Sequence, residues 1–88
     1  MPVYDFTPDY AIAPGETLRE VLEDRGMSQS ELAVRTNLTE KTISQIINGT
    51  APLSYETAAK LEMVLEIPAS FWNNLESQYQ STVLLKEE

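Results

Sequence analysis

Apolar residues shortly before Gly49 recur with the period of an α-helix. Ile43, Ile46 and Ile47 fall on one helical face. The opposite face carries polar residues at i, i+3, i+4 and i+7 spacing, namely Lys41, Ser44, Gln45 and Asn48. Glycine commonly follows the last turn of a helix, so the pattern predicts a short amphipathic helix over about residues 40–48.

The remainder of the chain indicates four further helices and no strand. We expect helices from Pro14 to just before Gly26, over about residues 29–36, from Ser54 to the break at Ile67-Pro68, and from Ala69 or Ser70 to about Leu85. The predicted fold class is therefore all-α with five helices.

Both ends of the chain are expected to lie outside this domain. Residues 1–13 contain Tyr4, Phe6 and Tyr10 but have no regular period, so they predict an arm whose aromatic rings pack on the body of the protein. The domain is predicted over residues 14–85, and residues 86–88 are expected to form a tail.

The second and third predicted helices are separated by a turn of only a few residues. Ser28 is expected to cap the first of them, with Glu31 completing a capping box, and Thr39 to cap the second. Asn37 falls where the backbone needs a positive φ, which asparagine tolerates better than most residues. The result is a helix-turn-helix over about residues 29–48, whose second helix is expected to enter the major groove of DNA.

The charge distribution qualifies that expectation. Six Lys and Arg against fourteen Asp and Glu give a net charge of −8, whereas DNA-binding domains are usually basic. The acidic excess lies outside the motif, because residues 28–50 contain two acids (Glu31, Glu40) and two bases (Arg35, Lys41). We therefore expect weak binding to non-specific DNA, since that affinity depends on how many phosphates are neutralised.

Composition excludes several other kinds of site. The absence of cysteine and histidine removes disulfides, zinc ribbons, thiol nucleophiles and imidazole bases. No histidine is present to activate a serine, so neither an enzyme nor a metal or cofactor site is expected. No signal peptide or apolar run of roughly 18 residues is present, and a cytoplasmic protein without a membrane partner is expected.

Three segments carry a specific resemblance: APGETLREVLEDRGMSQSELA (13–33), TISQIINGTAPLSYETAAKLEMVL (42–65) and IPASFWNNLESQY (67–79). In these segments the chain resembles the five-helix, lambda-repressor-like (Cro/C1, XRE) DNA-binding domains. Phe71-Trp72, followed by Leu75 and Tyr79, makes it similar to the HigA-like antitoxins among them. It departs from the superfamily at Asn37, where glycine is usual.

The polar side chains of the third helix offer both donors and acceptors, as base edges require. Gln45 can pair with adenine, and Lys41 can reach guanine or a phosphate. The threonines suit a thymine methyl group or a phosphate, whereas Glu40 can accept from a cytosine amine or repel a phosphate. The base-contact candidates are thus Thr39, Glu40, Lys41, Thr42, Ser44 and Gln45.

Phosphate contacts are expected at the start of the second helix and the end of the third. Gln29 and Ser30 lie where free N–H groups and the positive end of the helix dipole would face the DNA backbone. The resemblance implies that Gln29 clamps a phosphate. Asn48 and Thr50 are candidates at the other end.

The fifth helix has a wide apolar face, and a domain of this size is too small to cover it fully. Its residues are Phe71, Trp72, Leu75, Tyr79 and Val83. They are expected to pack in the core or against a second copy of the chain. The resemblance also implies a homodimer through this helix.

Three functions remain open. The first is a HigA-like antitoxin that binds a palindromic operator as a homodimer, represses its own operon and sequesters a basic ribonuclease toxin. The second is the same domain at the N-terminus of a longer XRE regulator with a peptidase-like C-terminal domain. The third is an interaction module that has lost DNA binding, as the acidity would permit.

Overall fold

The computed structural model describes residues 13–86 and gives five helices. They are α1 (Pro14–Arg25), α2 (Gln29–Thr36), α3 (Glu40–Asn48), α4 (Tyr55–Leu65) and α5 (Ala69–Lys86). Residues 13–86 contain no strand, so the predicted all-α class is confirmed. The arm expected over residues 1–13 falls outside the described residues except for Ala13, and so do the last two residues of the expected tail.

One apolar core receives side chains from every helix. α1 packs against α3 and α5, and α2 packs against α3 and α4, while α4 also packs against α5. The buried apolar residues are Leu18, Leu22, Leu32, Ala33, Ile43, Ile46, Ile47, Leu53, Ala58, Leu61, Leu65 and Trp72. Burial of each large side chain stabilises the fold by about 1.5–3 kcal/mol, so this core supplies most of the favourable free energy.

The backbones of α1 and α3 approach each other closely. A Cβ atom built on Gly15 would overlap the Ile46 carbonyl oxygen and lie 2.7 Å from the Ile47 Cα. Both neighbours are backbone atoms, which cannot rotate aside as a flexible side chain could. The first turn of α1 therefore rests directly on the last turns of α3, and a side chain at Gly15 would separate the two helices.

The helix ends follow the sequence signals, with one correction. The side-chain oxygens of Ser28, Thr39 and Ser54 accept hydrogen bonds from N–H groups three residues on, at 3.0, 3.0 and 3.2 Å. The full capping box expected at Ser28 is only half formed. The Glu31 carboxylate lies 2.6 Å from Arg35 Nη2, and this ion pair replaces the return bond to the Ser28 N–H.

The connection between α4 and α5 contains a strained residue. Glu66 ends α4 with φ 62°, in the left-handed region that glycine usually occupies. The chain can then turn so that the Ala69 N–H at the start of α5 donates to Glu62 Oε1 at 2.9 Å. The sequence predicted the break at Ile67-Pro68 but gave no sign of the conformation of Glu66.

Gly15→Ala should destabilise the protein in spite of alanine's better helix propensity. The overlap with α3 backbone should lower the free energy of unfolding by about 2–3 kcal/mol, the upper part of the range typical of overpacking, because backbone atoms cannot rotate aside. Gly26→Ala is the matched control, because Gly26 has φ 65° but no neighbour within 4 Å, so only about 1 kcal/mol of backbone strain is expected there. Urea unfolding of the two variants decides the matter; equal losses would contradict the close approach of α1 to α3.

Glu66→Gly should raise stability. Relief of the left-handed conformation should add about 1 kcal/mol to the free energy of unfolding. Glu20→Gly removes the same charge from an exposed site inside α1, where glycine costs about 0.5–1 kcal/mol. Thermal denaturation should therefore shift in opposite directions for the two variants, and a loss of stability in both would refute the role assigned to Glu66.

Candidate nucleic-acid interface

The turn between α2 and α3 is built from a left-handed residue and an N-cap. Asn37 has φ 62°, and its N–H donates to the Val34 carbonyl at 3.2 Å. The Leu38 N–H donates to the Ala33 carbonyl at 3.0 Å. These two bonds close the end of α2, and Thr39 then caps α3. The positive φ predicted for Asn37 is confirmed, and it allows α3 to begin after only three intervening residues, 37–39.

α3 buries its isoleucines and leaves its polar residues at the surface. Ile43, Ile46 and Ile47 are 0%, 3% and 8% exposed. Lys41 and Asn48 are exposed, whereas the side chains of the residues nearer the core boundary, Thr42, Ser44 and Gln45, are half-buried. The predicted division into an apolar and a polar face is confirmed. The polar residues form a surface that we call the α3 face, made of Lys41, Thr42, Ser44, Gln45 and Asn48.

Some side chains of the α3 face are used within the helix and others are free. Thr39 Oγ1 is held 3.0 Å from Thr42 Oγ1, and Asn48 Nδ2 donates to Ser44 Oγ at 3.3 Å. Within residues 13–86, the side chains of Lys41 and Gln45 have no hydrogen bond or ion pair. These two side chains therefore have the most unused hydrogen-bonding capacity for a ligand on this face.

The first turn of α2 is exposed. Gln29 and Ser30 follow the Ser28 cap, and both are exposed. Their N–H groups belong to the first turn of α2, where backbone N–H groups have no carbonyl partner within the helix. The positive end of the helix dipole lies at this turn. The geometry suits an anionic group. Glu31 lies in the same turn, but its ion pair with Arg35 partly compensates its charge.

The chain leaving α3 is tightly fastened. Gly49 ends the helix with φ 80°, and the Thr50 N–H then donates to the Gln45 carbonyl at 2.9 Å. Thr50 Oγ1 contacts the same carbonyl at 3.3 Å. Asn48 and Thr50 are both exposed, so each candidate contact at this end is accessible.

Of the two places expected for the apolar residues of α5, the core or a contact with a second copy, Trp72 occupies the core. Trp72 is 0% exposed, so its ring packs in the core of the protomer and offers no surface to a second copy. Phe71 stacks edge-on against it, with ring centroids 5.2 Å apart, and remains 42% exposed. The other three residues of the expected interface, Leu75, Tyr79 and Val83, are half-buried and retain accessible apolar surface.

Sequence reasoning missed Glu76, which lies on α5 between Leu75 and Tyr79. Its Oε1 accepts the Leu53 N–H at 3.2 Å and so joins α5 to the segment between α3 and α4. No periodicity or motif marks this residue, since the bond depends on α5 meeting a loop that is distant along the chain. Among residues 13–86, no cluster of acidic side chains could hold a metal ion, and no helix is long and apolar enough to cross a membrane.

Comparisons with known proteins agree on the family. A family model described as helix-turn-helix matches residues 18–72. A protein of Methanothermobacter thermautotrophicus named as an HTH-type transcriptional regulatory protein is 43% identical over 58 residues, 66% of this chain, but the match spans only 19% of that protein. The HTH-type transcriptional regulator YddM of Escherichia coli, itself uncharacterized, is 30% identical over 75% of this chain and 70% of its own length.

Solved structures with the same fold include HigA antitoxins. The antitoxin HigA of Pseudomonas aeruginosa, solved with the higBA promoter, has a TM-score of 0.84 and 29% identity, covering 88% of this chain and 85% of its own. An addiction module antidote protein of the HigA family from Coxiella burnetii has a TM-score of 0.82 and 29% identity, covering 89% and 86%.

Proposed function

Since this chain belongs to the helix-turn-helix family, we propose that it is a sequence-specific DNA-binding transcriptional regulator and a HigA-like antitoxin. It binds the operator of its own operon as a homodimer and represses that operon. The observation that carries this proposal is the α3 face, where polar side chains stand opposite three buried isoleucines. Among residues 13–86, two of those side chains, Lys41 and Gln45, have no hydrogen bond or ion pair. The HigA structure solved with promoter DNA supports it.

α3 supplies the base contacts in this proposal. Gln45 is central on the helix and half-buried, and its side chain has no hydrogen bond among residues 13–86, so its amide can form two hydrogen bonds to adenine. Lys41 is one turn nearer the N-terminus and reaches guanine or a phosphate. Thr39, Glu40, Thr42 and Ser44 complete the surface in the groove, with the two threonines oriented by their mutual contact.

α2 and the end of α3 supply the phosphate contacts. Gln29 and Ser30 present the first turn of α2 to one strand, while Asn48 and Thr50 approach the backbone from the other end of α3. The motif contributes only Arg35 and Lys41 as cations, and Arg35 is already paired with Glu31. Affinity must therefore come from base contacts, helix dipoles and the duplication of contacts in a dimer, because few counterions are released.

The two acidic portions of the chain suit a basic protein partner. Residues 1–27 and 51–88 each contain six acids and two bases, a net charge of −4 in each portion. Such charge would repel DNA but would steer a cationic protein towards the complex. We propose a basic ribonuclease toxin as this partner.

The neighbouring reading frames distinguish the antitoxin from a longer regulator. A small basic reading frame next to this one would favour the antitoxin, whereas a frame continuing into a peptidase-like domain would favour a longer regulator.

The net charge of −8 favours a second candidate, an interaction module that keeps the fold without binding DNA. The two proposals differ in a direct test. A regulator shifts DNA taken from upstream of its own operon in a gel, at concentrations that leave unrelated DNA free. An interaction module shifts neither.

Gln45→Ala should weaken operator binding by about 1–3 kcal/mol and relax preference at one or two base pairs, because a bidentate base contact is lost. Gln29→Ala is the matched control: it removes a phosphate contact and should weaken binding to all sequences alike. Fluorescence anisotropy against the operator and single-base variants measures both. An unchanged sequence preference in Gln45→Ala would show that α3 does not contact bases as proposed.

Val83→Glu should abolish dimerisation, because it places a charge on the accessible apolar face of α5. Gln78→Glu adds the same charge on an exposed part of the same helix and should leave the dimer intact. Sedimentation equilibrium measures the association, and circular dichroism confirms folding.

The wild-type dimer should protect two half-sites about 34–36 Å apart, or a multiple of that spacing. A wild-type monomer at micromolar concentration, with and without DNA, would refute the dimer.

A further inference from the structure

The loop between α3 and α4 is anchored at both ends. At its start, the Gln45 carbonyl accepts the N–H groups of Thr50 at 2.9 Å and Ala51 at 3.2 Å. At its end, the Leu53 N–H donates to Glu76 Oε1 at 3.2 Å, and the Leu53 side chain is buried in the core. The first anchor lies within α3, whereas the second lies on α5.

The bond from Leu53 to Glu76 spans an unusual distance along the chain. It joins residues 23 positions apart. The other side-chain hydrogen bonds among residues 13–86 join residues seven or fewer positions apart, so they stabilise single helices or adjacent segments. In this part of the chain, Glu76 alone uses a side-chain hydrogen bond to tie distant elements together.

The carboxylate of Glu76 is oriented for this task. Its second oxygen, Oε2, accepts a hydrogen bond from Gln80 Nε2 at 2.6 Å, one helical turn further along α5. Glu76 is half-buried beside the loop. A hydrogen bond to an ionised acceptor in such a partly dehydrated place is stronger than one between neutral groups.

We infer that Glu76 is a positioning residue for DNA recognition. Its hydrogen bond to the Leu53 N–H attaches the α3–α4 loop, which contains Thr50, to α5. This inference rests on the proposed function, in which Thr50 contacts a phosphate. Glu76 also lies between Leu75 and Tyr79, on the helix that meets a second copy. The Leu53–Glu76 hydrogen bond therefore couples the position of the DNA-contacting loop to that of α5.

Simple electrostatics predicts the opposite effect of removing Glu76. A carboxylate repels phosphate, so losing it should strengthen DNA binding whatever replaces it. If Glu76 instead positions the loop, the result depends on whether the substitute can still accept the Leu53 N–H. Glutamine retains an acceptor oxygen at nearly the same place, and alanine does not.

The experiment compares Glu76→Gln and Glu76→Ala with Glu20→Ala, which removes one exposed charge from α1. Operator affinity is measured by anisotropy in the full chain. Glu76→Ala should bind on the order of tenfold more weakly than wild type, the size expected for a lost hydrogen bond to a charged group. Glu76→Gln should bind at least as well as wild type, and Glu20→Ala should bind equally or slightly better. Equal or tighter binding by Glu76→Ala would overturn the inference.

A second measurement without DNA separates this inference from the proposed function. Amide hydrogen exchange at Leu53, followed by NMR, should accelerate in Glu76→Ala and remain slow in Glu76→Gln and Glu20→Ala. Unchanged exchange in Glu76→Ala would overturn the positioning role even if the operator is bound. If wild type fails to bind its upstream DNA while exchange responds as expected, the Leu53–Glu76 hydrogen bond stands and the DNA-binding function is what fails.

Discussion

The contact between the backbones of α1 and α3 determines where the α3 face can be. Gly15 lets the first turn of α1 rest on the Ile46 carbonyl and Ile47 Cα, and any side chain there would force the two helices apart. Since the three isoleucines of α3 are buried on that side, the helix cannot rotate without exposing them. Its polar side chains are thereby held outward in one orientation. Such preorganisation matters because base recognition depends on placing a few amide and hydroxyl groups accurately.

The same packing explains how an acidic protein can present a surface suited to DNA. The charges of the motif balance, while the acidic excess resides in residues before and after it. Long-range attraction to phosphate is therefore small, and recognition relies on short-range contacts that need precise geometry. The anchors at both ends of the α3–α4 loop, Gln45 and Glu76, are consistent with that need.

The sequence by itself determined the five helices and the split of α3 into two faces. Their ends were predictable because Ser28, Thr39 and Ser54 act on N–H groups three residues away, and because Asn37 and Gly49 adopt local backbone conformations. The core positions of α3 were equally local, since helical periodicity alone places Ile43, Ile46 and Ile47 together. The candidate base-contacting residues follow from the same pattern, and they remain predictions about function.

Only the tertiary structure decided which surfaces stay open. It buried Trp72 within the protomer while leaving Phe71 beside it partly exposed, a choice that depends on how α5 lies across the core. It also gave Gly15 and Glu76 roles that no local pattern carries, because each role depends on an atom of a segment distant along the chain. Local chemistry fixed the helices and their faces, whereas the contacts that hold those faces in position arise only where separate helices meet.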